Sequence, residues 1–272
     1  MIYDKICGSG VHVVLLAIFT VVGGCVLWQN DAFTQSYTFS NWNMKSGPWG
    51  KESLSFVDDP AGSGEIVLRN FYKNGSYSKT SYRGVGFYAE NLAEGRICVK
   101  LSYDLYFEPN FDFVRGGKLP GLWGGSTSCS GGRDALDCFT TRFMWRSQGN
   151  GEVYAYIPDN QRSDFCTSAD VHCNFQYGNS LGRGSWKFAI GQWLRLEQEV
   201  KLNDPSNHNG YVKVWLDGTQ VYERQALVFR NQNDIRIDGI AFSTFFGGSD
   251  ESWASTVDTY TYYKNFQLST CG

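Results

Sequence analysis

The 272-residue sequence predicts an all-β protein, a jelly-roll β-sandwich of two antiparallel sheets with a substrate groove on the concave face. Three observations carry this. Apolar residues alternate with period two in several separate stretches, and long helical periodicity is hard to find. Asp217-Gly218 sits between two such stretches, a strong hairpin signal. No repeat or low-complexity linker divides the chain, so one all-β domain accommodates it.

The first element is set apart by composition. Val11 to Trp28 is almost wholly apolar, Lys5 precedes it, and Gly23, Gly24 and Cys25 lie near its end. That is the pattern of a secretory signal peptide cleaved near residues 24 to 30, and the stretch is also about long enough to serve as an uncleaved membrane anchor. The expected organisation is a leader over 1–30 and one domain over 31–272. A cleaved leader implies a secreted protein with no further membrane association, and a monomer is expected.

Strands follow in order. Arg96 to Phe107 puts Ile97, Val99, Leu101, Tyr103, Leu105 and Phe107 on one face. Phe139 to Arg146 puts Phe139, Thr141, Phe143 and Trp145 on a core face, and Thr140, Arg142, Met144 and Arg146 on the other. Glu152 to Pro158 buries Val153, Ala155 and Ile157 and turns Tyr154 and Tyr156 the opposite way. Gln192 to Leu202 alternates around Leu194, Leu196 and Val200. Tyr211 to Tyr222 is the hairpin, and Ile235 to Phe246 and Tyr260 to Leu268 complete the set.

The two strands Phe139 to Arg146 and Glu152 to Pro158 must bury their apolar sets on the same side. The connection Ser147 to Gly151 must therefore be an odd-length loop with a glycine at positive φ, despite the tempting Asn150-Gly151. That places Tyr154 and Tyr156 on one surface with Thr140 and Arg142.

Residues 116 to 125 read GGKLPGLWGG, with Lys118 as the only charge. Two readings stand. Glycines and Pro120 make a turn, or the backbone passes close to a flat ligand with Lys118 aimed at it. In the second reading Lys118 joins the surface of Thr140, Arg142, Tyr154 and Tyr156.

Cysteines agree with export. Cys7 and Cys25 lie in or beside the leader, which leaves Cys98, Cys129, Cys138, Cys166, Cys173 and Cys271. An even count in an exported chain points to disulfides. Many connectivities exist. Short loops favour Cys129 with Cys138 and Cys166 with Cys173, which leaves Cys98 with Cys271. There is no CxxC pair, and past the leader only His172 and His208 remain, so no metal or cofactor is expected. The net charge of −3 gives no reason for a nucleic acid or an anionic membrane as partner. Aromatic residues at 16% serve mostly as β-core filler, with a surplus fit for stacking on ring-shaped ligands.

The surface has a chemistry. A guanidinium pairs with a carboxylate through two parallel hydrogen bonds. Lysine and tyrosine move protons if neighbouring cations and desolvation lower their affinity for them. Neither a Ser–His pair nor the strand-borne carboxylate pair of a glycosidase is present. β-Elimination in a polyuronate needs neither. A cation on the C6 carboxylate stabilises the enolate-like intermediate, a modest base takes the C5 proton, and an acid protonates the departing oxygen at C4. The competing readings are a lectin-like, non-catalytic carbohydrate-binding sandwich and a glycoside hydrolase, which lacks its carboxylates here.

The motifs GGKLPGLWGG, FTTRFMWR, VYAYIP, FSTFFGGSDESWA and YYKNF, in that order, resemble the alginate and glucuronan lyases of polysaccharide lyase family 14. The resemblance runs from about Ser40 to Leu268. It implies a β-jelly roll and an acidic polysaccharide as substrate. The family's catalytic lysine falls on Lys118, its Ser-x-Arg pair on Thr140 and Arg142, and its Tyr-x-Tyr pair on Tyr154 and Tyr156. Threonine replaces serine at 140 and keeps the hydroxyl. The expected roles are Arg142 as carboxylate binder, Lys118 as base or charge stabiliser, and a tyrosine as proton donor. Arg115, Trp123, Arg146, Ser249 and Trp253 are expected to contact substrate, the last two from a loop on the cleft rim.

Overall fold

A computed structural model describes residues 24–45, 47–174 and 176–272. The alternating stretches become strands: β1 Val26–Asn30, β2 Leu54–Asp58, β3 Ile66–Tyr72, β4 Gly84–Ala89, β5 Cys98–Phe107, β6 Gly116–Gly125, β7 Cys138–Arg146, β8 Gly151–Tyr156, β9 Val171–His172, β10 Asn179–Leu181, β11 Trp193–Lys201, β12 Gly210–Leu216, β13 Thr219–Leu227, β14 Gly239–Phe246 and β15 Thr259–Ser269. They form two antiparallel sheets. One has eight strands, in the order β13-β12-β11-β5-β15-β3-β2 with β1 on β15; the other has seven, β4-β14-β6-β7-β8-β10-β9.

The core lies between the sheets. Val99, Leu101, Tyr103, Leu105 and Phe107 of β5 face Leu119, Phe143, Trp145, Val153 and Phe242 of the other sheet, all buried. Each such side chain contributes about 1.5–3 kcal/mol on leaving water. Ile97, expected on that face, falls one residue before β5 and is exposed. The predicted hairpin forms, with Asp217 at φ 50° and Gly218 at φ 77° as a two-residue turn with both residues left-handed requires. The pairing the short loops favoured forms: Cys129–Cys138, Cys166–Cys173 and Cys98–Cys271.

Two expectations change. Most of the predicted leader, residues 1–23, lies outside the described residues. Its last residues do not: Val26–Asn30 pair with Ser269–Phe266 of β15, and Trp28 packs edge-on against Trp42 at 5.0 Å. The folded unit therefore begins ahead of residue 31, because an apolar strand and the end of an apolar leader look alike in sequence. GGKLPGLWGG is not a turn either. It is β6, paired on both sides by β14 and β7. Among the described residues no helix is long and apolar enough to cross a membrane.

Candidate active site

The seven-stranded sheet turns one face to the core and the other to a groove of 980 Å3. β6, β7 and β8 lie side by side under it. Lys118 pairs with Met144, Arg142 with Tyr154, and Thr140 with Tyr156. The β7–β8 connection closes over five residues between Trp145 and Gly151, with Gln148 at φ 61° and Gly149 at φ 76°. The odd loop is the expected one, and it puts both tyrosines on the face of Arg142.

A bulge does the same for Lys118. Regular alternation from Lys118 would aim Pro120 and Leu122 at the groove. The register shifts between Leu119 and Gly121, so Leu119 and Leu122 both bury while Gly121 and Trp123 stand opposite Arg142 and Thr140. The freed Pro120 carbonyl accepts a hydrogen bond from the Tyr103 hydroxyl at 2.9 Å. Gly121 is required, because a Cβ there would come within 2.2 Å of the Thr141 carbonyl oxygen.

Lys118 is 8% exposed. Its Nζ lies 3.5 Å from the centre of the Tyr154 ring and 3.1 Å from Met144 Sδ. Burial holds its pKa well below the usual lysine value, and Arg142 and Arg146 push it down further; Glu152 opposes them. Arg142, 6% exposed, donates to Ser243 Oγ at 3.3 Å and has its guanidinium 5.7 Å from the Tyr156 ring centre. Its Nε has no partner among the described residues. Burial drives the Tyr154 phenol above the usual tyrosine range, and Tyr156 adds to this; Arg142 and the Gly178 N–H work against it. The two rings meet edge-to-face at 5.7 Å.

Lys79, Arg83, Lys118, Arg142, Arg146 and Arg183 line the groove, and among the described residues no aspartate or glutamate does. One acid, Glu152, lies fully buried beneath these cations, with Arg146 Nη2 and Arg183 Nε each 2.7 Å from its carboxylate. Burial alone would raise its pKa; the two arginines outweigh that and hold it ionised. No cluster of three or more His, Cys, Asp or Glu side chains is placed to hold a metal among the described residues.

Not every expected residue reaches the groove. Thr140 is fully buried, and its hydroxyl donates to the Cys129 carbonyl at 3.2 Å instead of facing a ligand. Trp123 is 2% exposed beneath Tyr88, with its indole N–H on the Ala89 carbonyl at 3.0 Å. Arg115 is exposed behind the rim, where it stacks on Trp253 at 5.2 Å. Arg146, Ser249 and Trp253 do line the groove. Sequence reasoning missed Glu152, although its alternation with Tyr154 and Tyr156 puts it on their face. It also missed Ser243 and Arg183, which carry no local signal.

Residues 60–266 match the family model described as polysaccharide lyase 14. The chain belongs to that family. Among solved structures this lyase is similar to the marine PL-14 alginate lyase from Aplysia kurodai, with 40% identity over 90% of this chain and 99% of that one, at a TM-score of 0.83. It shares its fold with alginate lyase vAL-1 from Chlorella virus, at 20% identity, covering 90% and 100% of the two chains, TM-score 0.74. The endo-beta-1,4-glucuronan lyase of the fungus Trichoderma reesei shares it too, at 12% identity, 90% and 96% coverage and TM-score 0.57. No curated protein sequence matches the chain. All five residues of the central constellation fall within the matched span of the lyase.

Proposed function

We propose that this lyase is an exported enzyme that cleaves alginate by β-elimination, with Lys118, Arg142 and Tyr154 as the reacting set. One observation carries the reading: a buried lysine against the face of a tyrosine that stands opposite a buried arginine, in a groove that among the described residues is lined by six cations and no carboxylate. Such a groove suits a chain of carboxylated sugars. It does not suit a hydrolase, whose two carboxylates it lacks. The 40% identity to an alginate lyase favours alginate over glucuronan.

Arg142 pairs with the C6 carboxylate and draws charge from the developing enolate. Lys118, whose burial favours the neutral amine, takes the C5 proton. The C4–O4 bond breaks, a double bond forms between C4 and C5, and the leaving oxygen takes the proton of Tyr154, which its surroundings keep protonated. Water and the Lys118 ammonium then restore the phenol. The rate rises with pH as Lys118 loses its proton, and the rise is centred below the usual lysine pKa of about 10.4. It is sustained through the range in which Tyr154 stays protonated.

The Cys129–Cys138, Cys166–Cys173 and Cys98–Cys271 disulfides support export. Leader cleavage ahead of Val26 leaves β1 intact, and N-terminal sequencing of the protein from culture medium reads that junction directly.

The decisive assay follows ultraviolet absorbance of the unsaturated uronate with polymannuronate, polyguluronate and glucuronan. The expected result is a rise on alginate blocks that Lys118→Ala and Tyr154→Phe each abolish. Reducing ends without absorbance point to a hydrolase, and no product at all points to a lectin.

A further inference from the structure

Each phenol oxygen of the site meets a backbone N–H from a cysteine-anchored segment. Gly132 N–H donates to Tyr156 Oη at 3.2 Å, and Gly178 N–H donates to Tyr154 Oη at 3.1 Å. Gly132 lies inside the loop closed by Cys129–Cys138, and the Thr140 hydroxyl ties the Cys129 carbonyl to β7. Gly178 lies on the turn from Cys173, which is bonded to Cys166, to β10. Asn174 braces that turn: its Oδ1 accepts from the N–H groups of Gln176 and Tyr177 at 3.0 and 3.1 Å.

The two segments touch each other above the rings. A Cβ on Gly132 would come within 2.6 Å of the Gln176 carbonyl oxygen. A Cβ on Gly178 would come within 2.9 Å of ring carbons of both Tyr154 and Tyr156. Only a residue without a side chain lets the main chain lie this close to the phenols.

An N–H on a phenol oxygen does two things. It occupies a lone pair, so the hydroxyl proton must point away from the segment. It also stabilises the negative charge left when that proton departs, as preorganised amides do for other oxyanions.

We propose that the Gly132 and Gly178 amides are positioning groups of the elimination, held by the Cys129–Cys138 and Cys166–Cys173 disulfides, so that breaking either bond slows turnover in a folded enzyme. This rests on the assignment of Tyr154 as proton donor. No oxidant or reductant takes part in the reaction itself; the disulfides hold geometry.

The test compares three double variants, Cys129→Ala/Cys138→Ala, Cys166→Ala/Cys173→Ala and, as control, Cys98→Ala/Cys271→Ala. Each is assayed well below its unfolding midpoint, with folding checked by circular dichroism. The Gly178 amide bonds the phenol that becomes charged, so a loss of about tenfold or more in kcat is expected in Cys166→Ala/Cys173→Ala. The Gly132 amide bonds its ring neighbour, which moves no proton, so about threefold or more is expected in Cys129→Ala/Cys138→Ala, with KM within about twofold in both. The control keeps its kcat. Where a loop variant does not fold, Gly132→Ala or Gly178→Ala, which keep the cysteines but displace the amide, should show the same fall. A wild-type kcat in either folded loop variant, or an equal fall in the control, overturns the inference. Lys118→Ala and Tyr154→Phe are run alongside. If they retain turnover, the assignment of the site itself fails; if they abolish it while the loop variants turn over normally, only the role of the amides fails.

Discussion

Glu152 sets how readily Lys118 holds a proton, because it is the acid that opposes the combined push of burial, Arg142 and Arg146. Replacing it by glutamine should lower the lysine's proton affinity further, so the rise of kcat with pH should move to lower pH. The same change leaves Arg146, already largely buried, without its ion pair. Breaking a buried pair from one side costs about 3–5 kcal/mol, which urea unfolding of Glu152→Gln should register. Thr140 offers a second test. Its hydroxyl holds the Cys129 carbonyl, not a ligand, so Thr140→Val should lower kcat by about three- to tenfold with KM unchanged, and Thr140→Ser should restore it. At this scale period two was enough to bring Arg142, Tyr154 and Tyr156 to one surface. It could not say which way the Thr140 hydroxyl turns, since its acceptor belongs to a loop eleven residues earlier in the chain. Nor could it tell that Trp123 is roofed over by Tyr88, a neighbour from another strand.

The β6 bulge is the element that brings Lys118 to Arg142. Proline serves there because the extra residue of a bulge needs no ladder N–H. Gly121→Ala should push β6 away from β7, since the added carbon would sit 2.4 Å from Arg142 Cα as well as against the Thr141 carbonyl. The expected loss is about 2–4 kcal/mol in thermal or urea unfolding, with a fall in kcat from the displaced lysine. Glycine and proline signal turns and bulges alike, so the local sequence of β6 misleads. What distinguishes the two is a partner strand on each side, and β7 and β14 come from later in the chain. The β7–β8 loop was legible for the opposite reason. Two apolar faces had to agree, and only an odd length lets them.

Across the whole molecule the Cys98–Cys271 bond spans a sequence separation of 173 residues and fastens the last residues to the start of β5. Removing it frees the unfolded chain of a very long loop constraint, so Cys98→Ala/Cys271→Ala should lose roughly 4–5 kcal/mol. Its lower unfolding midpoint should leave turnover at moderate temperature unaltered. That two sheets exist could be read from alternation. Their strand order could not, because it depends on pairings between segments as distant as β1 and β15. That pairing has a practical side. The first described strand and the last lie next to each other in the eight-stranded sheet, and the groove lies on the other one, so both strands belong to the sheet behind it. A solid support, fusion partner or purification handle joined at either end would leave the mouth of the enzyme open to a long polymer.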